Sequence, residues 1–121
     1  MTEEGLGSLT GLSQDDIVDI TKNKTFKVQG NEFQIGNFNH HLRLKALEIV
    51  EDLGQSKQIA ATLSSHGDGN LRQLFNQITH DGISISKLPN FFDEKPELFI
   101  PLTLTVLHLY AAPFLSALTA S

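Results

Sequence analysis

From residue 98 to residue 121 the chain runs for 24 positions without one Asp, Glu, Lys or Arg. An apolar stretch of that length has to be covered, either by a bilayer or by the rest of the protein packed around it. Residues 98–118 are long enough for a bilayer by count alone. Against a span stand Pro101 and Pro113, His108, four Ser or Thr residues between Thr103 and Thr119, and no Lys or Arg after the segment to fix an orientation. The favoured expectation is a central helix, apolar on nearly all sides; a tail-anchored membrane protein through residues 98–118 is the minority alternative. Pro113 is expected to end or kink this helix. Pro113, Phe114, Leu115, Ala117 and Leu118 lie past that break, where a small domain has limited core to bury them, and some of that end is a candidate contact surface.

The rest of the chain has to supply that cover. At 121 residues there is material for one core and one domain. The net charge of −5 is carried by Glu3, Glu4, Asp15, Asp16 and Asp19, with no cation before residue 20, and the remainder sums to zero. Residues 1–20 read as an acidic, flexible lead and residues 21–121 as a single globular domain. Phosphate binding needs clustered cations, so the balance argues against a nucleic-acid partner; Lys22, Lys24 and Lys27 read as a counterweight to the acidic head. Cysteine is absent, which removes disulfides, thiolate metal sites and cysteine nucleophiles. The first residues lack the basic and apolar regions of a secretory signal, giving a cytoplasmic address as the expectation.

Local patterning predicts an α+β fold, mostly α-helical, with an N-terminal β-hairpin packed on a small helical bundle. Ser13 with Asp16 three residues on has the form of a capping box before a turn or two of helix. Residues 25–35 alternate, and a Gly30-Asn31 turn would pair Val28 with Phe33 and Phe26 with Ile35, putting every apolar side chain on one face. Leu42, Ala46, Ile49, Val50 and Leu53 mark a helix over 40–53, stopped at Gly54. A weaker helix spans 56–65. Leu71, Leu74, Phe75 and Ile78 fall at i, i+3, i+4 and i+7, predicting a helix capped by Asn70 and stopped at Gly82. Residues 83–92 form a connector, with Ile83, Ile85 and Leu88 expected on the core, and Asp93 and Pro96 open the last helix.

No constellation calls for catalysis, a metal or a cofactor. His40 and His41 are adjacent and so point about 100° apart on a helix, unlike an i, i+4 chelating pair. His66 and Asp68 share a Gly-rich turn, and His80 and Asp81 a helix end; each reads as a surface or capping histidine. The Gly-Asp-Gly-Asn run at 67–70 lacks the strand and the Gly-Lys-Ser/Thr ending of a phosphate loop.

Taken in order, the segments KTFKVQGNEFQIGNF, HHLRLKALEIVEDLG, IAATLSSHGDGNLRQLFNQITHDG and ELFIPLTLTVLHLYAAPFLSALTAS resemble the tail assembly chaperones of long-tailed bacteriophages over residues 24–121. The likeness is one of layout: a short hairpin, amphipathic helices, a helix ending in a small turn, and an apolar closing helix. The chain departs from the pattern at Tyr110, Ala111, Ala112 and Pro113, where an Asn precedes the aromatic, and at Gly30-Asn31, where the turn is Gly-Lys. What the resemblance implies is a non-enzymatic protein of the host cytoplasm that keeps the apolar, helical tape measure protein soluble, with the tail tube protein as a second partner. Self-association stays open. A partner helix would lie in a groove lined by residues such as Phe99, Leu102, Val106, Leu109, Phe114 and Leu118, with Leu71 and Phe75 as further candidates; for those before Pro113 a place in the core is the competing and favoured expectation. A structural tail or baseplate component of the particle is the alternative.

Overall fold

The hairpin forms in the expected place but turns one residue earlier. In the computed structural model, which describes residues 3–120 apart from Lys57, Asp68 and Pro89 and leaves aside the side chains of 3, 4 and 116–120, β1 (Thr25–Val28) pairs with β2 (Asn31–Ile35). Phe26 faces Phe33 and Val28 faces Asn31. The turn residues are Gln29 and Gly30, with φ of 50° and 81°. Two consecutive positive φ values match the right-handed twist of a two-residue hairpin, and the Asn31 side-chain amide donates to the Gln29 carbonyl at 3.3 Å. The register differs from the expected one by two residues, so the buried face is unchanged: Phe26, Val28, Phe33 and Ile35 all point inward.

The chain then adds a second hairpin. Helix α5 (Asn70–Phe75) is shorter than its apolar period, because Ile78 belongs to β3 (Ile78–His80), opposite Ile35 of β2. Asp81 and Gly82, at φ 55° and 84°, turn the chain into β4 (Ile83–Ser84), so Gly82 serves a hairpin rather than a helix end. The result is a four-stranded antiparallel sheet in the order β1-β2-β3-β4.

Helices cover the apolar face of this sheet. Helix α3 (His40–Ser56) buries Leu42, Ala46, Ile49, Val50 and Leu53 as its period requires, and continues through Gly54 for two more residues. Helix α4 (Ile59–Ser65) follows. Asn70 does not cap α5: its amide donates to Glu48 at 2.9 Å and its oxygen accepts from Lys45 at 3.2 Å, which fastens α5 to α3. His66, the C-cap of α4, lies 2.7 Å from Asp52 of α3, while Asp68 lies outside the described residues. The connector leads through Ile85, which is buried, to α6 (Phe91–Glu94); Ile83 stays half exposed. Helix α7 (Phe99–Ala120) closes the structure, entered through a 3-10 turn at Pro96–Leu98.

The acidic lead is built into the fold. Residues Glu3–Thr10 form α1, which lies along α7 and buries Leu6 completely; α2 (Gln14–Asn23) carries the capping box of Ser13 and Asp16 and buries Ile17. Thr10 Oγ1 sits 2.9 Å from Nδ1 of the buried His108. The boundary expected at residue 20 is absent, because α2 runs across it. Three glycines without a local apolar period read as a loose segment, but α7 supplies from afar the partner that Leu6 lacks nearby.

The buried Thr residues and the two prolines of α7 are accommodated by hydrogen bonds from within the helix and from α3. Thr103 and Thr105 donate to the carbonyls of Phe99 and Pro101 one turn back, at 2.6 and 2.8 Å. Pro101 occupies the first turn, where no N–H is needed. Pro113 lies within the helix and does not end it. Having no N–H, Pro113 leaves the Leu109 carbonyl without its helical donor. The Arg43 guanidinium reaches across from α3 and donates to the Tyr110 carbonyl at 2.8 Å and, at 3.5 Å, to that of Leu109. Phe38 lies beneath this guanidinium at 5.0 Å and against the Tyr110 ring at 4.9 Å.

Tyr110 is fully buried, and its hydroxyl donates to the Asn37 carbonyl at 2.7 Å. Burial raises its pKa well above that of a free phenol, with the nearby Arg43 cation opposing in a smaller degree. Below about pH 10 both folded and unfolded chains keep the proton; above it the unfolded chain loses a proton that the native state retains, so stability falls as pH rises. Tyr110 is the only Tyr and Trp is absent, so ultraviolet phenolate absorbance reports it alone. Ionisation is expected to coincide with loss of helical circular dichroism, and a titration near pH 10 in protein that remains folded would contradict this burial.

Candidate functional site

Residues 75–99 supply walls of two open clefts. Helix α5 must stop at Phe75 to let β3 pair with β2, and Ser84 then donates to the carbonyls of Phe75 and Asn76 at 3.2 and 3.3 Å, holding β4 against the helix end. The chain passes over the core and enters α6, where two adjacent phenylalanines project about 100° apart. Phe91 points inward, edge-on to Phe33 at 6.0 Å and to His80 at 5.6 Å. Phe92, half-buried, stands between Phe75 at 5.8 Å and Phe99 at 5.1 Å. One ring of the pair closes the core and the other builds a wall.

That wall borders an open cleft of about 340 Å³ between α5, α6 and the start of α7. Leu71, Phe75, Leu88, Phe92 and Phe99 give it an apolar lining, while Arg72 and Ser86 supply polar groups. The far side is steadied by the α3 contacts of Asn70 and His66, which flank Gly67 at the cleft edge. A second cleft of about 320 Å³ lies across Leu88 and is lined by His80, Asn90, Phe91, Glu94 and Lys95. There Lys95 donates to Asn31 at 3.1 Å, and His80 Nδ1 donates to the Glu32 carbonyl at 3.0 Å with Nε2 3.6 Å from Asp81. Among the described residues no three His, Asp or Glu side chains converge as a metal site would require.

Compared with protein-family models, curated proteins and solved structures, the chain finds no match. The geometry and the residues themselves carry the functional reading.

The six residues expected to contact a partner are divided by the fold. Leu102, Val106 and Leu109 have no exposed surface and form the centre of the core, so they cannot line a groove. Phe99 is half-buried on the cleft wall. Phe114, half-buried at the far end of α7, stands edge-on to His40 at 6.0 Å. The Leu118 side chain lies outside the described residues. Leu71 and Phe75, the two further candidates, do line the cleft, at its floor. Sequence reading missed Phe92, Leu88 and Arg72. The adjacent Phe91-Phe92 pair held the signal, since two neighbouring rings on one turn of helix cannot both enter the same core.

Proposed function

We propose that this chain is a non-enzymatic, protein-binding module, a phage tail assembly chaperone that holds the apolar helical tape measure protein in soluble form in the host cytoplasm. The observation that supports this reading is the open cleft of Leu71, Phe75, Leu88, Phe92 and Phe99, an aromatic surface bounded by helices and suited to an amphipathic helix. The binding set moves accordingly from the middle of α7 to its first residue and to α5 and α6. Coexpression tests it. An excess of the chain should raise the soluble fraction of the tape measure protein encoded beside it in the same genome. Phe92→Ser should remove that effect while keeping its circular dichroism. Equal precipitation with and without the chain would sink the proposal.

The structural-component alternative is separated by mass spectrometry of purified particles, where a chaperone is absent and a tail or baseplate subunit present. The tail-anchored alternative would require α7 to leave the core. The stretch from Pro96 to Leu115 has the length of a span, and an 18-residue window within it has a mean hydropathy of 1.8, yet 72% of that window is buried inside the protein.

A further inference from the structure

We propose that α1 is a displaceable strap, which leaves α7 as a unit and gives up its seat to an apolar helix of the protein that this chain holds. The inference rests on the chaperone role above and adds a second point of contact to the cleft. Leu6 is the one fully buried side chain among the described residues of α1, while Ser8 and Leu9 are exposed. Eight residues with Gly5 and Gly7 among them fall short of the length at which a helix holds in water by itself, so α1 is helical only while it is seated.

Gly7 points to release. A methyl group there would meet the Leu12 carbonyl at 3.5 Å and Cε1 of His108 at 3.9 Å, ordinary contact distances, and the φ of Gly7 is not in the left-handed region. Neither packing nor backbone geometry calls for glycine, yet glycine within a helix costs stability relative to alanine, so its effect is to hold α1 loosely. The ends of α1 allow it to leave alone. Gly11, at φ 76°, donates to the Gly7 carbonyl at 2.8 Å and closes the helix, and α2 carries its own capping box at Ser13 and Asp16. The seat on α7 is already shaped to a helix. Pro101, Thr105 and His108 fall on one face of α7 against the end of α1, and the Thr105 hydroxyl is satisfied within α7 by the Pro101 carbonyl. An incoming helix needs one large apolar side chain for the place of Leu6, with small residues beside it.

The test is hydrogen-deuterium exchange on the full chain, free and in the complex copurified with the coexpressed tape measure protein. In the free chain the amides of α1 should exchange about a hundredfold faster than those of α7, yet about tenfold slower than an unstructured peptide. Gly7→Ala should slow α1 about fivefold and leave α7 unchanged. In the complex α1 should lose its protection while α7 keeps its own, and Gly7→Ala should weaken the complex by about the same fivefold. Exchange of α1 at the rate of α7, unprotected α1 before any partner is added, Gly7→Ala slowing both helices alike, or α1 protection that persists in the complex would each overturn the proposal. Protection lost merely on concentrating the chain would place a second copy in the seat and overturn it too. The two readings fail separately: a complex that Phe92→Ser abolishes but in which α1 stays protected leaves the chaperone role standing and removes the strap, whereas no complex at all sinks both.

Discussion

Phe33→Ala is expected to destabilise the fold by about 3–5 kcal/mol, near the limit of what a domain of this size tolerates. Phe33 is fully buried on the inner strand β2. Its ring stacks on Phe26 at 5.6 Å, tilts against His80 at 5.2 Å and meets the edge of Phe91. Truncation leaves a cavity bordered by β1, β3 and α6 together, so no single neighbour can move in to fill it. Urea unfolding should place the midpoint far below that of wild type, while Phe33→Leu recovers most of the loss. A loss under about 1 kcal/mol would mean that the aromatic cluster does not join sheet to helix.

The second large effect is at Arg43. Arg43→Ala should cost about 2–3 kcal/mol, because two buried carbonyls of α7 lose a charged donor in the turn where Pro113 cannot supply one. A double-mutant cycle separates this from mere loss of packing on Phe38. Pro113→Ala restores an N–H for the Leu109 carbonyl, so Arg43→Ala should cost less in that background, with a coupling of about 1 kcal/mol. Additive losses would show that the proline and the arginine act independently.

The sequence shows clearly whatever depends on one segment's own period. Leu42 through Leu53 face the core as spaced, the Ser13 and Asp16 capping box forms, and the uncharged stretch becomes the helix on which α1 and α3 pack. Features that depend on a distant partner were hidden. Ile78 continues a helical period yet is drawn into β3 by pairing with Ile35, and Asp81-Gly82 was the local sign of that hairpin. Leu6 has no neighbour in sequence that would order it. Pro113 reads as a helix end unless Arg43, 70 residues earlier in the chain, is known to answer for its missing bond. The cleft was half legible, since Phe99, Leu71 and Phe75 were visible as apolar residues, whereas Arg72 and Phe92 became a wall only once α5 and α6 stood side by side.

The contact between Thr10 and His108 spans 98 residues. During synthesis α1 leaves the ribosome well before the helix that buries Leu6 exists, and at roughly 5–20 residues per second the wait is about 5 to 20 s. Through that interval the early elements have no centre to close on. Completion of the fold is therefore expected to wait for α7, and a ribosome pause ahead of residue 98 would prolong the time in which Leu6, Phe26 and Phe33 stay open to cellular chaperones and proteases.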